Sequence, residues 1–299
     1  MDEATTDFIQ GCVAASFAGG GARVIDAAEI PLGFNALWRL RVGHDGASLD
    51  LVLRRYTHWL TWHASDDREK AAREAAAIEH ARAHGLPVPA LYGHGPDWTL
   101  VAHVDGRRLL PLDPGAVLDA RPARSLAALL ARLHNLPLPE GPFPRVSTAT
   151  ALRTIRERAA SAGDARLSAA AARLRPLDDG PPVFVHGDPH PGNALFDDDF
   201  GVAGVIDWED AAIADRRFDV AMAYWWMLER TPSIAGEFIA AYEAASGGPV
   251  RDLPRWLAFA TVRAWAVAAA LRAAGHALAL FSTEEEVAEA ERRLSAAAW

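Results

Sequence analysis

The sequence predicts an α+β protein of two lobes: a small β-rich lobe carrying one main helix, then a larger, mostly helical lobe. Three observations lead there. Short β-type runs separated by Gly, Pro and Asp fill much of the first hundred residues. Helical periodicity then takes over and dominates from about Arg121 onward. A polar segment at 183–210, "VFVHGDPHPGNALFDDDFGVAGVIDWED", interrupts the helical part.

The elements follow in order. Runs 22–30, 36–42 and 48–56 read as strands, with turns at 32–35 and 43–46. Segment 65–85 reads as the helix of the first lobe, with Ser65 as N-cap and Gly85 as its stop. Residues 86–95 are extended, and 97–106 form another strand ending at Gly106. That glycine marks the connector, so the expected lobes are 1–105 and 106–299. Amphipathic stretches at 123–136 and 150–174 read as helices, as do 216–229, 233–245, 253–274 and 283–298.

Bulk properties narrow the function. Apolar residues make up 51% of the 299 and charged residues 23%, which fits a globular chain with a sizeable core. A net charge of −9 argues against nucleic-acid binding. Cys12 is the only cysteine, which excludes an internal disulfide and a Cys-based zinc site and favours a reducing cytoplasm. The opening "MDEATTDFIQ" lacks the positive charge and apolar core of a signal peptide. The apolar run "WLAFATVRAWAVAAALRAA" is broken by Arg263 and Arg272, so it reads as a core helix and not a membrane span. A cytoplasmic monomer or homodimer without membrane or nucleic-acid partner is expected.

The chemistry concentrates in the polar segment. "ALF" and "GVAGVI" around "DDDFG" read as a β-hairpin. With the fold-back near Phe200, Asn193 and Asp207 are equidistant from the turn and face each other, Cα atoms roughly 5 Å apart. Two oxygen-bearing side chains at one end of a hairpin suit Mg²⁺, which keeps waters and phosphate oxygens as its other ligands. Asp188 precedes the hairpin, placed to accept or orient the proton of an attacking hydroxyl. His186 has a structural role, holding the loop through its backbone.

"HGDPHPGN" followed by "VIDWED" resembles the catalytic segment of the aminoglycoside phosphotransferase and choline kinase-like group, which has the bilobal protein-kinase-like fold. "LDLVLRRY", "AAREAAAIEHARAHGLPVPALYG", "LARLHNLP" and "DRRFDVAMAY" are similar, in that order, to further segments of the group. The resemblance implies transfer of the γ-phosphate of ATP, or GTP, to a hydroxyl of a small molecule, either antibiotic-like, such as an aminoglycoside, or amino-alcohol-like. It implies Asp188 as catalytic base, Asn193 and Asp207 as Mg²⁺ ligands, and Arg54 in place of the strand lysine that contacts phosphates. Glu74 becomes the partner of Arg54, and Asp219 a brace of the catalytic loop. Leu100, Ala102 and Val104 belong to the hinge that meets adenine, and Gly33 to the phosphate loop.

Two features depart from the group. Only Gly33 stands where a glycine-rich phosphate loop belongs, and position 54 is arginine. They leave open a kinase-fold nucleotide-binding protein with little turnover. The spacing of His186, Asp188 and His190 leaves open a metal-dependent hydrolase. Glu209, Asp210 and Asp215 either line a pocket for a cationic acceptor or cap the helix near Arg216. Trp225, with Trp226, Trp256 and Trp265 of the helical lobe, either lines the acceptor site or packs in the core. Arg54 and Arg55 alternate on their strand, so one alone enters the cleft.

Overall fold

A computed structural model of the chain describes residues 1–17, 19–31, 34–109, 119–276 and 280–297. Five strands, β1 Arg23–Glu29, β2 Ala36–His44, β3 Ala47–Arg55, β4 Leu91–His94 and β5 Trp98–Ala102, form an antiparallel sheet ordered β1-β2-β3-β5-β4. Alternation along β3 assigns the faces. Leu51 and Leu53 are fully buried with Trp38, Leu40, Val42 and Leu100. Arg55 lies on that side, over the ring of Phe8 at 4.2 Å, while Arg54 points to the other face.

The buried face is covered by a helix the sequence reading missed, α1 Glu3–Ser16. Its acidic start conceals an amphipathic pattern: Ile9, Cys12 and Val13 pack into the sheet, and Asp2 caps the helix by accepting from Thr5 N at 2.8 Å. The helix expected from Ser65 is α2 Lys70–Ala83. It starts later because Asp67 turns inward, taking two bonds from Arg73 at 2.7 and 2.8 Å. Arg73 also donates to the carbonyls of Glu209 at 2.9 Å and Pro142 at 3.2 Å, so 57–69 runs as a loop against the second lobe. Gly85, at φ +73°, ends the helix as expected.

The helical lobe holds α3 Arg121–Leu133, α4 Thr148–Ala162, α5 Ala165–Arg173, α6 Arg217–Arg230, α7 Pro232–Ser246, α8 Leu253–Ala273 and α9 Glu284–Ala296. Helix α8 is long and apolar enough to cross a membrane by length and composition. In this fold its Trp256, Phe259, Val262 and Trp265 are core residues, packed with α4, α6 and α9 side chains. Short strands absent from the sequence reading, β6 Arg145–Val146, β7 Pro182–Val185 and β10 Ala212–Asp215, form a small sheet ordered β6-β10-β7. The expected hairpin is present as β8 Ala194–Phe196 and β9 Val202–Val205.

Arg73 ties the lobes together, and both it and Asp67 are buried. Removing one partner of a buried pair leaves an uncompensated charge. Arg73→Ala is therefore expected to cost ~3–5 kcal/mol of unfolding free energy, read as a lowered urea midpoint.

Candidate active site

The hairpin sets the site, one residue away from the expected register. Ala194 pairs with Val205 and Leu195 with Gly204, then a bulge puts Phe196 opposite Val202. Ile206 N donates to Asn193 O at 2.9 Å, so Ile206, not Asp207, faces Asn193. Asp207 adopts φ +71°, uncommon for a non-glycine residue, and leads into the 3-10 turn Trp208–Asp210. That turn re-aims its carboxylate. Asp207, Asn193, Asp188 and Arg54 all line one cavity of about 440 Å³ between the lobes.

The loop bearing Asp188 is braced from behind. Asp219, fully buried on α6, accepts from His186 N and Gly187 N, both at 2.8 Å, and pairs with His134 Nε2 at 3.2 Å. Burial opposes its ionisation, yet these donors keep its proton affinity below the usual carboxylate range. His186 Nδ1 accepts from Asp188 N at 3.3 Å, which assigns the ring proton to Nε2 and its bond to Ile206 O at 3.0 Å. Gly187 sits at φ +92°, and a Cβ there would drive into the Asp210 carbonyl. From the front, Arg263 Nη2 donates to Gly187 O at 3.0 Å.

Asp188 itself accepts from Trp226 Nε1 at 3.3 Å. Enclosure raises its pKa to about 6; nearby Arg263 opposes the rise, and Asp207 adds to it. Asp207 behaves oppositely. Burial disfavours its charge, but Arg54 outweighs that and holds it near about 2. The two neighbouring carboxylates thus differ in proton affinity, because their surroundings push them in opposite directions.

Arg54 Nη1 lies 2.5 Å from Asp207 Oδ1, 3.1 Å from Glu209 Oε2 and 3.7 Å from Glu74 Oε2. The expected pair with Glu74 is the longest of the three. Glu74 is held by Tyr56 OH and by Thr99 Oγ1 at 3.2 Å. Glu209 bridges to Lys70, whose fully buried Nζ is 2.8 Å from Oε1, and to Asn35 Nδ2 at 2.9 Å.

Other expected residues fall elsewhere. Leu100 is buried mid-sheet and paired to both β3 and β4, so its backbone does not face the cleft. Ala102 N donates to Ala90 O at 2.8 Å. Val104 has no backbone–backbone hydrogen bond among the described residues. Gly33 lies outside the described residues. Asp215 faces a separate cavity of about 600 Å³ and is engaged by Arg217 Nη2 at 2.6 Å, which removes it from the acceptor site. Glu209, Asp210 and Trp225 do line the cleft.

Trp226 lines it too, whereas Trp256 and Trp265 are core; Trp62, Arg108 and Arg263 also line the cleft, and sequence reasoning assigned these three no place in it. Signals existed for two residues: Lys70 is the only lysine, and Arg263 breaks an apolar helix. Trp62 gave none, because loop 57–69 meets the site only through the tertiary fold.

The donor set fits a hard cation. Asn193 Nδ2 donates to Asp188 O at 3.0 Å, leaving Oδ1 available to a metal. Asp207 Oδ2 has no hydrogen-bond partner among the described residues. No three His, Cys, Asp or Glu converge as a metal site among the described residues. Two oxygen donors suit Mg²⁺, which completes its shell with water and phosphate. The imidazoles of His186 and His190 are engaged by loop backbone N–H groups, which disfavours a histidine-ligated metal here.

The sequence profile of the phosphotransferase enzyme family matches residues 26–259. No functionally curated protein matches the chain by sequence. Among solved structures, a macrolide 2'-phosphotransferase type I superposes over 98% of each chain with a TM-score of 0.63 at 21% identity. Choline kinase LicA from Streptococcus pneumoniae does so over 98% of this chain and 100% of its own, with a TM-score of 0.69 at 13% identity. The amicoumacin kinase hAmiN, in complex with AMP-PNP, Ca²⁺ and Ami, matches over 99% and 93%, with a TM-score of 0.59 at 13% identity. At such identities the likeness shows a shared fold, the bilobal protein-kinase-like one.

The electrostatics predict a titration. The raised proton affinity of Asp188 means it is protonated below, and ionised above, a midpoint near about 6. Carboxyl-detected NMR should find that midpoint, and Arg263→Gln should move it upward, since the guanidinium favours the carboxylate. An Asp188 midpoint at the ordinary carboxylate value would contradict its enclosure in the cleft.

Proposed function

The chain belongs to the phosphotransferase enzyme family, and from that premise we propose that it transfers the γ-phosphate of ATP to a hydroxyl of a small molecule, with Mg²⁺ as its ion. One observation carries the reading: Asp188, Asn193, Asp207 and Arg54 converge on a single cleft. A relative solved with AMP-PNP and Ca²⁺ supports a nucleotide and a divalent ion together.

In the proposed reaction Asp188 orients the acceptor hydroxyl and takes its proton as the new O–P bond forms. The electron pair of the breaking P–O bond leaves with ADP. Asn193 and Asp207 would hold the ion, which offsets phosphate charge when bound. Arg54, aligned by Glu74 and Glu209, supplies a delocalised positive charge to the phosphates. The backbone of Val104 is the proposed contact for adenine. Little covalent chemistry is asked of the protein: its contribution is position and charge.

A coupled ADP-release assay with Mg·ATP over a library of hydroxyl compounds tests this. Asp188→Asn should lower kcat by ~10³-fold while keeping the thermal shift given by Mg·ATP. Asp207→Ala should remove the Mg²⁺-dependent part of that shift. Turnover unchanged in Asp188→Asn would refute the mechanism. A Mg·ATP shift with no ADP formed from any acceptor would favour nucleotide binding without catalysis, the reading motivated by arginine at position 54.

A further inference from the structure

The cleft extends beyond the phosphate-side residues, and this far end bears on the acceptor, given the phosphotransferase reading above. At the level of sequence its carboxylates point to a cationic acceptor. The structure engages each of them. Glu209 is held by Lys70, Arg54 and Asn35. Asp207 is held by Arg54. Asp210 lies against Trp62 N at 3.4 Å, and burial, reinforced by Glu209, pushes its proton affinity up to about 7. Asp215 is in another cavity. Arg263, buried in the far wall, brings a positive charge of its own. Arg54, Arg108 and Arg263 line the cleft against Asp188, Asp207, Glu209 and Asp210, with Lys70 and Glu74 paired behind them, so the excess is a single carboxylate and not an open cluster of acids for a polyamine.

The aromatic rings are engaged as well. A quaternary ammonium is recognised by open aromatic faces. Here Arg263 already covers Trp62 at 4.7 Å. Trp225 stacks on Phe281 at 5.8 Å and abuts Trp226 at 5.0 Å. Trp226 packs on His190 at 4.6 Å and directs its N–H to Asp188. What remains is an apolar wall of Leu60, Met222, Ala264, Val267, Leu271 and Leu280.

We infer that the acceptor is an alcohol with an uncharged, apolar body, bound against the Leu60–Val267–Leu280 wall with its hydroxyl at Asp188, in preference to polyamines and quaternary ammonium alcohols. Burying a cation against that wall without a counter-charge costs several kcal/mol, whereas an apolar body gains from leaving water.

The test uses the full chain with four probes: menthol, an uncharged macrolactone lacking sugars, kanamycin and choline. Binding is read by quenching of cleft tryptophan fluorescence, and turnover by ADP release with Mg·ATP. Menthol or the macrolactone should bind and raise ADP release, with kcat/KM at least roughly 10²-fold above kanamycin and choline. Val267→Asp should weaken binding of the apolar probes and improve that of choline. Equal or better binding of kanamycin or choline by the unaltered chain overturns the inference, and so does failure of both apolar probes to bind. If the apolar probes quench fluorescence but no probe yields ADP, the ligand class stands and the phosphotransferase reading falls.

Discussion

One guanidinium sets the geometry of the cleft. Arg54 reaches from the β sheet to Asp207 and Glu209 of the helical lobe, and stands 3.7 Å from Glu74 on α2. Charges removed from water are costly unless closely matched. The match fixes the sheet, α2 and the 208–210 turn relative to one another. A lysine ammonium at position 54 would act as a point charge, whereas the planar fork of arginine directs its donors. Lys70 adds a second cation behind Glu209, so the acidic cluster is held from two sides.

The loop bearing Asp188 obeys a complementary rule, pinned chiefly by its backbone. Asp219 takes the N–H groups of His186 and Gly187, and Arg263 takes the Gly187 carbonyl. With its backbone held front and back, the loop presents Asp188 to the cavity with little freedom. Such preorganisation is how a fold converts packing into reactivity. Gly187 is required there because the chain passes too close to Asp210 for any side chain.

Much of this was legible in the residues. Asn193 and Asp207 could be brought together because a turn-rich segment between apolar runs predicts a fold-back. The chain folds back one position earlier than Phe200, and the bulge at Phe196 recovers one of the two residues so lost, which leaves a one-residue difference in register beside Asn193 that alternation does not encode. Helix α1 was hidden by its acidic start, and β6, β7 and β10 are too short for periodicity to reveal. The start of α2 was misjudged because Asp67 serves a tertiary ion pair and not the helix. Asp215 could have been withdrawn from the acceptor site by its neighbour, since Arg217 lies only two positions on. Trp62 and Arg263 could not be assigned, because what matters about them is which part of the other lobe or loop they happen to meet.

The sealed position of Lys70 reaches beyond the cleft. It is the chain's only ε-amine, and its side chain is 0% exposed. Acylating reagents and lysine-modifying enzymes therefore meet no lysine on the folded exterior, where basic side chains are guanidinium groups that keep their charge. Acylation at Lys70 becomes a chemical clock for separation of the lobes, since the amine is reached only when Glu209 lets go.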